Sequence, residues 1–196
     1  MRTTVLVIGA LAVILLLALL LSRSSVGTIS YADKGKTGEI EFRHYPGLVL
    51  ATVDTTDDNA GFNLLFAYIS GSNKARNSIP MTAPVITSQK IPMTAPVVSD
   101  VASMSFVMPA GTKREDIPDP LDSRVRIVTI LERDIAVIRF SGYAPPEDVE
   151  AATSRLQAGL KNEGIETLGQ PFLMRYDSPW TPGFLRRNEV ALEIHR

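Results

Sequence analysis

The chain contains no cysteine and only two histidines, His44 and His195. The first absence excludes disulfide frameworks, thiolate nucleophiles, iron–sulfur clusters, Cys-linked haem and Cys-containing zinc sites. The second excludes a three-His metal site. An excess of charge of either sign is also lacking, since 20 Lys+Arg stand against 21 Asp+Glu in 196 residues. A nucleic-acid binder usually carries a basic field, so this balance argues against one. With 45% of residues hydrophobic, an acidic disordered chain is excluded as well. No G-x-S-x-G elbow, H-E-x-x-H or dinucleotide fingerprint occurs. Gly35-Lys36-Thr37 has the end of a P-loop, but Ser30 stands where its first glycine belongs. Asp57/Asp58, Glu115/Asp116 and Glu147/Asp148 fall in turns or at helix starts, where acids cap rather than catalyse. One globular domain with little catalytic hardware remains, and no enzymatic activity is expected.

Charge is absent altogether from Thr3 to Leu21, and Val5–Leu21 is aliphatic apart from Gly9. As a helix this segment spans about 28 Å, close to the hydrocarbon core of a bilayer. It exceeds the usual h-region of a signal peptide, so residues 1–25 are predicted to be an uncleaved N-terminal transmembrane helix. The other reading is a signal cut before Ser25. Arg2 and the α-amino group flank one side, and Arg23, Lys34 and Lys36 the other. The side of the soluble domain is therefore open, with a lean toward the cytoplasm. Residues 26–37 are Ser-, Gly- and Lys-rich without an apolar period and read as a linker to a domain over 38–196.

Within that domain two similar halves follow one another. Ile40, Phe42, Leu48, Leu50 and Val53 alternate around Pro46-Gly47, as two strands or one bent strand. Asp57-Asp58-Asn59 offers helix-capping chemistry, and Phe62, Leu65, Phe66 and Ile69 follow at i, i+3, i+4 and i+7 before Gly71. The strand Met104–Met108 comes after a proline-punctuated stretch. The second half repeats the order. Val125–Leu131 and Ala136–Phe140 read as paired strands about a charged turn, and Pro145–Asp148 opens a helix. Val149, Ala152, Leu156 and Leu160 line that helix, Gly164 ends it, and strands follow near Phe172–Tyr176 and Glu189–Ile194. The class is α+β, with two helices against one antiparallel sheet.

Ile79-Pro80-Met81-Thr82-Ala83-Pro84-Val85 recurs as Ile91-Pro92-Met93-Thr94-Ala95-Pro96-Val97. Proline cannot donate to a sheet ladder, so each copy calls for an edge strand or a bulge. Such a segment either protects an edge or walls a flat apolar ligand.

These repeats, with Ile40–Tyr45, Gly61-Phe62, Tyr68–Asn73, Phe140–Tyr143, Tyr176–Pro179 and Arg186–Val190, resemble the SOUL/haem-binding-protein family. The resemblance covers about residues 38–195. It implies duplicated βαββ units forming a distorted antiparallel β-barrel with two flanking helices. It further implies non-covalent binding of haem or another tetrapyrrole in an apolar groove beside the first helix. The matching residues are Phe62, Leu65, Phe66 and Ile69, with His44 as the candidate iron ligand and Met81 and Met93 as weaker ones. Arg186 and Arg187 are candidate partners for propionates, because Asn59 and Thr181 stand where some members carry basic residues. Two alternatives remain. One is a ligand-sensing module for amphipathic cations, which a groove-facing carboxylate such as Glu189 would favour. The other is a membrane-tethered interaction domain without a small ligand.

Overall fold

The computed structural model describes residues 27–88, 102–178 and 180–195. The apolar segment 3–21 and the second proline-rich copy with Met93 lie outside those residues. Among the described residues no helix is long and apolar enough to cross a membrane.

In chain order the elements are β1 (Gly27–Thr28), β2 (Ala32–Thr37), β3 (Ile40–Tyr45), β4 (Leu48–Asp54), α1 (Asp58–Ile69), β5 (Thr82–Ser88), β6 (Ser103–Val107), β7 (Val125–Ile130), β8 (Arg133–Phe140), α2 (Pro146–Asn162), β9 (Thr167–Arg175) and β10 (Asn188–Ile194). The strands form one sheet of order β2-β3-β8-β10-β9-β5-β6-β4-β7, with β1 parallel to β5. The α+β class holds.

The duplication is visible in that order. β8-β10-β9 and β5-β6-β4 are equivalent triplets meeting at the β9–β5 pair. The leading strand of each half is exchanged, β3 pairing with β8 of the second half and β7 with β4 of the first. Thus β7 and β8 do not form the expected hairpin. β3–β4 is one bent strand and β7–β8 another, running antiparallel in a single register from Ile40↔Ile138 through Tyr45↔Arg133 and Leu48↔Ile130 to Val53↔Val125. The ladder pauses only at Pro46-Gly47, where proline brings no N–H.

The sheet is not closed, which corrects the expected barrel. Its terminal strands β2 and β7 do not pair with each other. β2, Ala-Asp-Lys-Gly-Lys-Thr, is exposed at every residue, so it offers no apolar face whose burial would drive closure. Residues 27–37, within the expected linker 26–37, are likewise more than a linker. They carry β1 and β2, which are held by backbone pairing that leaves no hydrophobic period to read.

Asp57 caps α1 by accepting from the Asn59 and Ala60 amides at 2.9 and 3.0 Å. This helix packs on β4, β6 and β7, and α2 packs on β8, β9 and β10. Val149, Ala152, Leu156 and Leu160 are buried, as their spacing predicts. On α1 the buried face is Gly61, Leu65, Tyr68 and Ile69, rotated from the expected stripe, and Phe66 is 49% exposed. The cause is Gly61. A Cβ there would lie 2.6 Å from Thr55 Cγ2, so its absence lets the helix sink on this side and turns Phe66 outward. A third cluster, including Tyr45, Leu50, Ile135, Met174 and Ala191, fills the opposite face of the sheet.

Candidate functional site: the aromatic flank of the first helix

Phe62 and Phe66 stand one turn apart on α1, their rings stacked with centroids 5.9 Å apart. Phe62 meets Phe106 of β6 edge-on at 5.2 Å, which anchors the inner ring while the outer one faces solvent. Leu65 and Ile69 are wholly in the core beneath them. Met81, just before β5, is partly buried against the same cluster. A flat apolar ligand laid on this flank would meet an aromatic face and a pliable thioether.

A cation stands at the start of the same flank. Arg175 of β9 donates toward Asp58 at 3.0 Å and toward Thr87 Oγ1 at 3.4 Å. Asp58, Phe62 and Phe66 follow at i, i+4 and i+8, so this guanidinium lies about 12 Å along the helix from the outer ring. Sequence reading missed it because Arg175 comes more than a hundred residues after α1.

The other candidates lie elsewhere. The β3–β8 register runs without a bulge, so His44 shares a face with Phe42, whose cluster is covered by α2. Its Nδ1 donates to Asp134 Oδ1 at 2.8 Å, and its Nε2 lies 3.8 Å from Glu132 Oε2. The structure therefore does not bring His44 together with Phe62 and Phe66. Arg187 turns inward. Its Nε donates to Glu189 Oε1 at 2.8 Å, and its guanidinium covers the Tyr176 ring at 4.1 Å. Arg186 donates to the Thr181 carbonyl at 2.7 Å and lies over Tyr143. Among the described residues no group of three or more His, Asp and Glu is placed to hold a metal.

Glu189 is fully buried between two arginines. Arg43 grips it bidentately, at 2.7 and 3.0 Å, and Tyr176 Oη donates at 2.8 Å. Burial alone would raise this carboxyl, but Arg43 and Arg187 outweigh it and hold the group below the usual range. The Tyr176 phenol is pushed well up by burial and then by the Glu189 charge. This carboxylate is already neutralised, and the adjoining hollow, lined by Ile29, Tyr45, Leu48 and Met174, measures only about 10 Å³. It has room for about one water. A larger open cleft of about 620 Å³ lies by Lys36, Glu41, Arg139, Phe140, Phe184 and Arg186.

A family model described as SOUL heme-binding protein matches residues 27–193. The chain belongs to this family. Among SOUL relatives, human heme-binding protein 2 is 33% identical over 133 residues, 65% of this chain and 64% of that protein. The mouse protein of the same name is 32% identical over 162 residues, 79% of this chain and 78% of its own length. The human match thus spans just under two thirds of that relative. Among solved structures, the EcmrR C-terminal domain aligns with TM-score 0.59 at 10% identity, covering 85% of this chain and 98% of its own. An uncharacterized conserved protein from Listeria innocua also gives 0.59, at 13% identity over 80% and 92%. Likeness at that identity speaks for the fold alone. The SOUL stretches now acquire physical roles. Asn73, wholly buried, donates to the Tyr68 and Asn77 carbonyls and accepts from the Asn77 amide, fastening the turn after α1. Asn188 Nδ2 donates to the Gly142 carbonyl, tying β10 to the Phe140–Tyr143 stretch.

Proposed function

We propose that this SOUL protein binds haem or a related tetrapyrrole non-covalently on the aromatic flank of α1, without acting as an enzyme, and that residues 3–21 tether it to a bilayer. Family membership supports haem or tetrapyrrole binding in general. The observation that carries the site is the Phe62–Phe66 stack, with one ring anchored on Phe106 and the other 49% exposed. A porphyrin face stacks on Phe66, and Arg175 exchanges Asp58 for a propionate, a charge-assisted bond of the same kind. Met81 is the candidate iron ligand packed against this cluster, while His44 sits on the other lobe and takes no part. The cation-sensing alternative is disfavoured by Glu189, whose carboxylate already serves two guanidiniums.

Haemin titration of the full chain tests the reading. A saturable one-to-one Soret change is expected. Phe66→Ala should weaken it at least tenfold, about 1.4 kcal/mol. Arg175→Gln should weaken haemin but not its dimethyl ester, and His44→Ala should leave the spectrum unchanged. Wild-type affinity in Phe66→Ala would remove the site from this flank, and a lost Soret band in His44→Ala would restore axial ligation there.

A further inference from the structure

We infer that the loop between β9 and β10 seats on the lipid surface, with Trp180 and Phe184 in the interfacial layer. The inference rests on the reading of residues 3–21 as a membrane tether. Trp180 is 90% exposed, Phe184 80% and Tyr143 67%. Rings as exposed as Trp180 and Phe184 seldom stand in water without a partner, and aromatic residues of this kind favour the headgroup level of a bilayer. They are not on a slack strand of chain. Thr181 N donates to the Ser178 carbonyl, Leu185 N to that of Pro182, Arg186 N to that of Gly183, and Arg186 Nε back to that of Thr181. Tyr143 lies flat on Gly183, where a Cβ would come within 2.6 Å of its ring. The three rings are thus presented by a stiff platform.

The chain enters the fold at this same end. Gly27 pairs with Thr82, three residues before Val85, and Val85 pairs with Arg175, from which the loop departs. That places Gly27 about 10 Å along β5 from the root of the loop. Five residues separate Leu21 from Gly27, so the six Cα–Cα steps between them reach at most about 20 Å. A domain of this size is roughly 40 Å across. Once Leu21 is at the bilayer edge, the domain has too little tether to turn its opposite end to the lipid. The charge also suits anionic headgroups. From Ser178 to Asn188 there is no acid, and of the two arginines there Arg187 is already paired with Glu189, which leaves Arg186 on the loop. Arg139, in the cleft beside Phe184, has no ion-pair partner among the described residues, although Glu39 and Glu41 line that cleft too.

Trp180 is the only tryptophan of the chain, so its fluorescence reports on this loop alone. The full chain is reconstituted into phosphatidylcholine–phosphatidylserine vesicles, with and without brominated acyl chains, and washed with alkaline carbonate. The expected result is a protein retained through the wash, with blue-shifted emission quenched about twofold or more by bromolipid. In Phe184→Asp, retention should persist while emission returns to its water-like position. A retained protein with unquenched, water-like Trp180 emission overturns the seating and leaves the tether standing. A protein lost in the wash overturns both, and undiminished quenching in Phe184→Asp also overturns the seating.

Discussion

At the scale of single residues, Glu189 is a buried charge whose loss is costly. Its carboxylate is the shared acceptor of Arg43, Arg187 and Tyr176. Glu189→Gln would leave two guanidiniums facing a neutral amide, and loss of one member of a buried ionic group costs about 3–5 kcal/mol. Denaturant unfolding at neutral pH measures it. Because the native carboxyl lies below its ordinary value, its contribution is complete above about pH 4.3 and fades as pH falls through the native pKa. Wild type should therefore lose stability on acidification below that point, and Glu189→Gln should lack that part of the slope. The structure places Glu189 in a hydrogen-bonded network that ties β10 to β3. The role of Arg43 was illegible, because its partner lies 146 positions away and an arginine in a strand normally reads as solvent-facing.

At the scale of elements, the two helices differ in how openly their sequences declare them. α2 shows a clean apolar period, proline and acids in its first turn, and a buried face that matches. α1 has apolar residues nearly all round, so period alone did not fix which of them face inward. Close approach at Gly61 decided it, and that depends on Thr55, just past β4, and on Met104 of β6. Leu65→Ala is expected to cost about 2–5 kcal/mol, whereas Phe66→Ala should cost less than about 1 kcal/mol. Thermal melts of the two variants separate core from ligand face. Equal losses would place Phe66 inside after all. The proline-rich segment is also explained at this scale in its described copy. β5 is an interior strand, and the register shifts between Thr82 and Val85, the bulge that Pro84 requires.

At the scale of the whole molecule, the duplication was legible in element order, but the exchange of leading strands was not. Local patterns report which residues form strands and say nothing of which distant strand each will meet. The exchange makes the lobes interdependent, since β3 completes the sheet under α2 and β7 completes the one under α1. Leu65→Ala and Leu156→Ala should accordingly lower one common transition in calorimetry. Two separately shifted transitions would show that the lobes unfold alone. The bent strands also set the timetable of synthesis. When the ribosome has made everything through β6, the first lobe still lacks β7 and β3 still lacks β8, so apolar strand edges wait for some thirty further residues, seconds at ordinary elongation rates. The first lobe gains β7 only when residue 130 has left the tunnel, and β3 gains β8 only at residue 140, so in that interval the nascent chain is open to chaperones or to a neighbouring polysome's unfinished strand.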